Sequence, residues 1–146
     1  MKKLLLCRQI NFGVRLAFLS VPLFILAVML SGRAFAQVPG PPEGNGVTTK
    51  VLGDIDLTSE IEDISGRHLR ARLVTIEPGG HVAAHSHKGR PTFEYVVQGS
   101  VVEIRNGVEI LHGPGDMVIA THEISHWWEN RGTAPVVLLP IDVFKP

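Results

Sequence analysis

Four side chains in this sequence have the types and spacing to hold a metal ion. His85 and His87 in "HVAAHSHKG" stand two residues apart. On an extended chain, residues i and i+2 project to the same side, which puts the two imidazoles together with Ser86 opposite. A pair of neutral imidazoles is a natural start for a first-row metal site. The next extended run, "TFEYVVQ", sets Thr92, Glu94 and Val96 on one face and Phe93, Tyr95 and Val97 on the other. If the first face looks inward, Glu94 is a carboxylate in an otherwise apolar setting. An unpaired buried charge is costly, so it requires a cation nearby. A third ligand is expected from a later strand, and His126, after "GDMVIATHEIS", is the candidate.

The elements that must position these groups read as strands. Short runs of β character recur after residue 46: "VTTKVL", "HLRARLVTI", "TFEYVVQ", "SVVEIR", "VEIL", "DMVIA", "SHWWEN" and "APVVLLPIDVF". Turn residues separate them, among them Pro78-Gly79-Gly80, Asn106-Gly107 and Gly113-Pro114-Gly115. No helical periodicity competes with this pattern, so an antiparallel sandwich or barrel is expected. "IRNGVEI" predicts a hairpin, because Asn-Gly accepts the positive φ values of a two-residue turn. In "HLRARLV" the alternation predicts a core face of Leu69, Ala71 and Leu73 and a wet face of His68, Arg70 and Arg72, with no role for His68. "LTSEIEDISG" reads as either one helical turn or an edge loop.

The order of these residues resembles the cupin superfamily, small double-stranded β-helix barrels of the jelly-roll type. Gly79, His85, His87 and Gly99 match the family's first motif (residues 79–99), and Pro114, Gly115, Asp116, His126 and Asn130 match its second (residues 113–130). The resemblance covers roughly residues 69–143. It implies an all-β cupin barrel with a divalent metal ion (Fe, Mn, Zn, Ni or Cu) held by His85, His87 and His126. One departure stands out. The family's acidic ligand position holds Thr92, and the carboxylate comes two residues later at Glu94. That shift keeps the side chain on one face but moves it about 6.6 Å along the strand. Glu94 is therefore a direct ligand, a group that hydrogen bonds a ligand histidine, or a bystander to a three-histidine site completed by water.

Other polar residues are weaker candidates. His81 lies four residues before His85 and is either at the mouth of the pocket or in a turn. His112, before Gly-Pro-Gly, reads as a solvated turn residue, and His122 and Glu123 as a surface loop. Trp127 and Trp128 face opposite ways on a strand, one toward the pocket and one outward. Asn130 reads as a backbone-bonding turn residue. Glu94, Glu123 and His81 are the candidates for a general acid or base, with Glu94 the first choice.

Residues 1–36 read as a signal peptide. Lys2, Lys3, Arg8 and Arg15 precede an apolar run of 15 residues from Leu16 to Leu30, and Ala34 and Ala36 occupy the positions a signal peptidase reads. Fifteen residues span about 22 Å as a helix, short of a hydrocarbon core near 30 Å. Residues 37–46, "QVPGPPEGNG", read as a Pro/Gly tether, and residues 47–146 as the barrel. Five of the 14 basic residues and none of the 14 acidic residues precede Gln37, so the exported part carries nine basic residues against 14 acidic, a net charge of −5. Such a domain has no electrostatic footprint for nucleic acid, and after cleavage none for a membrane surface. The only cysteine, Cys7, is in the leader, which removes disulfides and thiolate catalysis from the mature part.

A periplasmic or secreted location is expected. The function expected is that of a mononuclear metal-dependent dioxygenase or related lyase acting on a small organic molecule. The alternative is a cupin that binds metal or a small ligand without turnover. The resemblance also implies a homodimer, and Phe93, Tyr95 and Val97 would supply an apolar patch for a partner to cover.

Overall fold

The computed structural model describes residues 39–146; the leader expected over residues 1–36 lies outside them. The described chain forms nine strands: β1 (Asn45–Asp56), β2 (His68–His81), β3 (His85–Ser86), β4 (Thr92–Gln98), β5 (Val101–Arg105), β6 (Val108–His112), β7 (Met117–Ala120), β8 (Ser125–Glu129) and β9 (Val136–Phe144). No helix occurs among the described residues. The strands join in one curled antiparallel sheet of order β6-β5-β8-β2-β9-β4-β7, with β1 added to β2 and β3 added to β8. This is the antiparallel all-β architecture expected from the strand and turn pattern, and it fits the double-stranded β-helix implied by the resemblance.

Local chemistry explains the turns. Asn106 and Gly107 take φ of 52° and 79°, the left-handed pair that closes the β5–β6 hairpin with Arg105 opposite Val108. At Gly80 the backbone passes so close that an added Cβ would lie 2.8 Å from the Asn45 carbonyl oxygen and 2.9 Å from that of Glu77. Only a residue without a side chain lets β1 and the end of β2 approach in this way. Asn130 is buried and performs the turn role expected of it. Its Nδ2 donates to the Ile76 and Ala134 carbonyls at 2.9 Å each, and its Oδ1 accepts from Gly132 N at 2.9 Å.

The interior divides along its length. One half is apolar and closely packed, built from Val74, Ile76, Val96, Val101, Val118, Trp128, Val136 and Leu138. The other half is polar and buried, with His87, Thr92, Glu94, Glu103, His126 and Asp142. On β4 the alternation falls as expected, with Thr92, Glu94 and Val96 inside and Phe93, Tyr95 and Val97 outside.

On β2 the expected faces are reversed. Arg70 and Arg72 share the inward face with Val74 and Ile76, while Leu69, Ala71 and Leu73 lie on the outer side. The reason is Asp142 on β9, directly opposite Arg70 in the strand register and fully buried. It accepts Nε and Nη2 of Arg70 at 3.2 and 3.0 Å and Nη2 of Arg72 at 3.2 Å. A buried carboxylate drew the arginines inward, against their ordinary preference for water.

One loop expectation changes, and the choice left open for residues 57–66 resolves to turns. The described part of the Pro/Gly segment is laid on the barrel: Ala84 N donates to the Pro41 carbonyl at 2.8 Å, and Gly40 packs against Ala84 and Trp127. β1 begins at Asn45, two residues before the expected start of the barrel. Residues 57–66 form successive turns, anchored by buried Leu57.

Candidate metal centre

β3, β4 and β8 bring the four sequence-predicted ligands together. His85 on β3 pairs directly with His126 on β8, His87 follows β3 in the chain, and Glu94 enters from β4. Nε2 of His87 lies 3.2 Å from Nε2 of His85 and 2.9 Å from Nε2 of His126. Oε2 of Glu94 lies 3.6 Å from Nε2 of His126. One ligand atom from each residue falls within 4.8 Å of every other, and His87, Glu94 and His126 are buried.

The proton positions follow from what the outer nitrogens touch. Nδ1 of His85 lies 2.9 Å from the Ala83 carbonyl, and Nδ1 of His87 lies 3.1 Å from the Arg90 carbonyl and 2.9 Å from Thr92 Oγ1. Nδ1 of His126 lies 2.5 Å from Oε1 of Glu103. Carbonyls and carboxylates only accept, so all three Nδ1 atoms carry the hydrogen. Each Nε2 then presents a bare lone pair to the same point. The lone pair of His87, 3.2 and 2.9 Å from those of His85 and His126, repels both unless a cation lies among them. Nitrogens about 2.1 Å from one ion and about 90° apart would stand about 3.0 Å from each other, close to the separations found.

Glu94 completes the case. Its Oε2 is buried and has no hydrogen-bond partner among the described residues. Burial pushes its carboxyl above the usual range, while His126 pulls it down. A cation at the meeting point of the imidazoles would satisfy that orphan oxygen. The residues present therefore fit a divalent ion, with three neutral nitrogens and one carboxylate oxygen. Burial, more than any other influence, holds His85 and His87 down at about 4, so both are neutral and able to ligate at ordinary pH.

Two supporting residues escape a reading of the sequence. Glu103 is fully buried and aligns His126 from behind. Burial is the largest influence on it and pushes it up, but hydrogen bonds from His126, Arg105 and His112 hold its carboxyl at about 2. The signal available was a carboxylate within the apolar run "SVVEIR". Thr92, at the family's acidic position, is the second: its hydroxyl donates to the Arg90 carbonyl at 3.0 Å and accepts from His87.

Other candidates fall elsewhere. His112 is not a solvated turn residue: it closes β6, is half-buried and donates from Nε2 to Oε2 of Glu103 at 3.0 Å. The pull is the same buried carboxylate. His81 pairs with Asn45 and Glu129 at the end of β2 and does not line the cavity beside the histidines. His122 and Glu123 are exposed surface residues, as expected. His68 bonds Asp54 at 2.5 Å, away from the site. Trp128 is buried against His126, while Trp127 turns outward and donates to Glu129 at 3.0 Å.

A cavity of about 230 Å³ adjoins the cluster, and both His85 and Glu94 belong to its lining. The family model for the cupin domain matches residues 72–144, half of the chain and the segment that holds every residue of the cluster. The chain belongs to the cupin family. Among solved structures this cupin is similar to a predicted oxalate decarboxylase from Thermotoga maritima, at 22% identity and TM-score 0.58 over 73% of this chain and 89% of that one. It is also similar to the polyketide cyclase RemF from Streptomyces resistomycificus, at 18% identity and TM-score 0.56 over 70% and 68% of the two chains. A conserved double-stranded β-helix protein from Klebsiella pneumoniae matches at 19% identity and TM-score 0.55, over 72% and 80%. At these identities the likeness is one of fold. No curated protein matches this cupin in sequence.

Proposed function

We propose that this cupin is an exported metalloenzyme in which His85, His87, His126 and Glu94 hold one divalent cation, and that it carries out dioxygenation or a related lyase reaction on a small organic molecule. The observation that carries this reading is that His85 and Glu94 belong both to the ligand cluster and to the lining of the cavity. Four protein ligands leave one or two positions free on an ion that prefers five or six, and the cavity supplies room for a substrate there. When bound, such an ion supplies Lewis-acid polarisation of an oxygen donor. The chain's own residues do the rest. The three Nδ1–H hydrogen bonds orient the imidazoles, and Trp128, Val74 and Leu138 wall the cavity with apolar surface that limits water. Iron, manganese, zinc, nickel and copper all accept this donor set.

A second reading is a binding protein without turnover. It is favoured by one observation: besides His85, Glu94 and two arginines, the described residues lining the cavity include no ionisable side chain to act as a free acid or base. Anaerobic reconstitution with each metal, followed by oxygen uptake with catechols, thiols and flavonols, separates the two. One ion per chain with uptake abolished by His87→Ala supports the enzyme. Tight metal binding without turnover supports the binder, and no binding of any of these metals overturns the metal centre and with it the enzyme.

Export, with a periplasmic or secreted destination, rests on the reading of residues 1–36 as a leader. A homodimer rests on the exposed outer face of β4 and β7, where Phe93 and Ile119 are 52% and 57% exposed.

A further inference from the structure

The cavity beside the histidines is apolar on one side, at Val74, Leu138 and Trp128, and strongly basic on the other, where Arg72 and Arg90 enter the same lining as His85 and Glu94. These two guanidinium groups and that of Arg70 share a single buried carboxylate, Asp142. Arg70 takes both of its oxygens, Arg72 reaches one of them at 3.2 Å, and Nη1 of Arg90 stops at 3.8 Å, beyond hydrogen-bond range. Three positive charges thus face one negative charge. Among the described residues Glu94 is the one acid of the lining itself, and the metal reading commits it to the ion.

The surplus is not relieved among the described residues. Nε of Arg72 is buried and finds no acceptor among the described residues. Burial, the largest influence, holds Arg72 below its usual range, and Arg70 and Arg90 add repulsion. A guanidinium in this position is a costly feature unless an anion joins it. Its planar fork matches a carboxylate, which it can grip with two parallel hydrogen bonds. The cavity, at about 230 Å³, is smaller than the usual drug-sized range of about 300–1,000 Å³, so the partner must be small. Its apolar wall calls for an uncharged body.

We propose that the cavity takes a small monocarboxylate with an apolar body, its carboxylate held by Arg72 and Arg90 and its body against Trp128 and Leu138. The inference rests on the reading of this cavity as the substrate pocket and names the class of substrate.

Benzoate and its neutral isostere benzamide test it, with binding to the full chain read by calorimetry and tryptophan fluorescence, in metal-loaded and chelator-treated protein. Arg90→Gln is the informative variant, because Arg90 makes no hydrogen bond to Asp142 and its loss leaves the Arg70–Asp142 pair intact. Benzoate is expected to bind at least about tenfold more tightly than benzamide. Arg90→Gln should weaken benzoate roughly 10- to 100-fold, the worth of one charge-assisted hydrogen bond, and leave benzamide unchanged, with or without metal. Equal binding of the two probes, no binding of either, or benzoate binding untouched by Arg90→Gln would overturn the proposal. A benzoate preference that needs metal and ignores Arg90 assigns the carboxylate to the ion, which sinks this inference and spares the metal reading. An Arg90-dependent preference in protein that binds no metal does the reverse.

Discussion

Oε1 of Glu103 on β5 lies 2.5 Å from Nδ1 of His126 on β8, and Oε2 of the same carboxylate accepts from His112 at 3.0 Å. A residue that touches none of the four candidate ligand atoms thus fixes the tautomer and the ring plane of one of them.

Glu103→Gln keeps the size of that side chain and removes its charge. Metal affinity should fall about 10- to 100-fold, the usual effect of losing a carboxylate behind a ligand histidine. Competition against a chromophoric chelator measures it. Unchanged affinity with intact fold would show that His126 is held by packing against Trp128 alone.

Thr92→Val removes one of two acceptors of the His87 Nδ1 hydrogen and leaves the Arg90 carbonyl in place. The expected cost is about 1 kcal/mol of stability, read by urea unfolding, and a smaller loss of metal affinity than Glu103→Gln causes. A loss as large as that of His87→Ala would make Thr92 indispensable to the site.

Asp142→Asn leaves the half-buried Arg70 and Arg72 against a neutral amide. Breaking a buried charge network from one side costs about 3–5 kcal/mol. For a domain of this size the melting temperature should drop by on the order of 10 °C or more. Thermal circular dichroism checks this, with Arg90→Gln as a mild control because its guanidinium stands 3.8 Å from Asp142.

The stability of chelator-treated protein should fall as the pH drops from about 6.5 toward 4. His85 and His87 titrate near 4 when folded and near 6.5 when unfolded, so the unfolded chain binds more protons in that window and acid favours it. Glu103, held at about 2, acts in the same direction below the ordinary carboxylate range. Glu94, pushed up by burial, opposes them above it. Melting temperatures across pH 4–7 that stay flat in chelator would contradict the two low histidine values.

Much of the site can be read from residue order because it depends on local geometry. His85 and His87 fall together since a short extended stretch repeats every two residues, and Glu94 points inward with Thr92 and Val96 for the same reason. The hairpin at Asn106-Gly107 needed only the φ preferences of those two residues. β2 shows the limit: alternation defines two faces but not which one is inside, and the choice fell to Asp142, 70 residues beyond Arg72.

The strand pattern, the ligand types and their pairing along the chain are properties of the sequence, because they follow from backbone periodicity and side-chain chemistry. Whether His126 reached His85, which acid stood behind it and where three arginines gathered were decided by strand register alone. Register joins β3 to β8, β5 to β8 and β2 to β9, and pairs of residues so far apart in the chain meet only when the whole sheet closes.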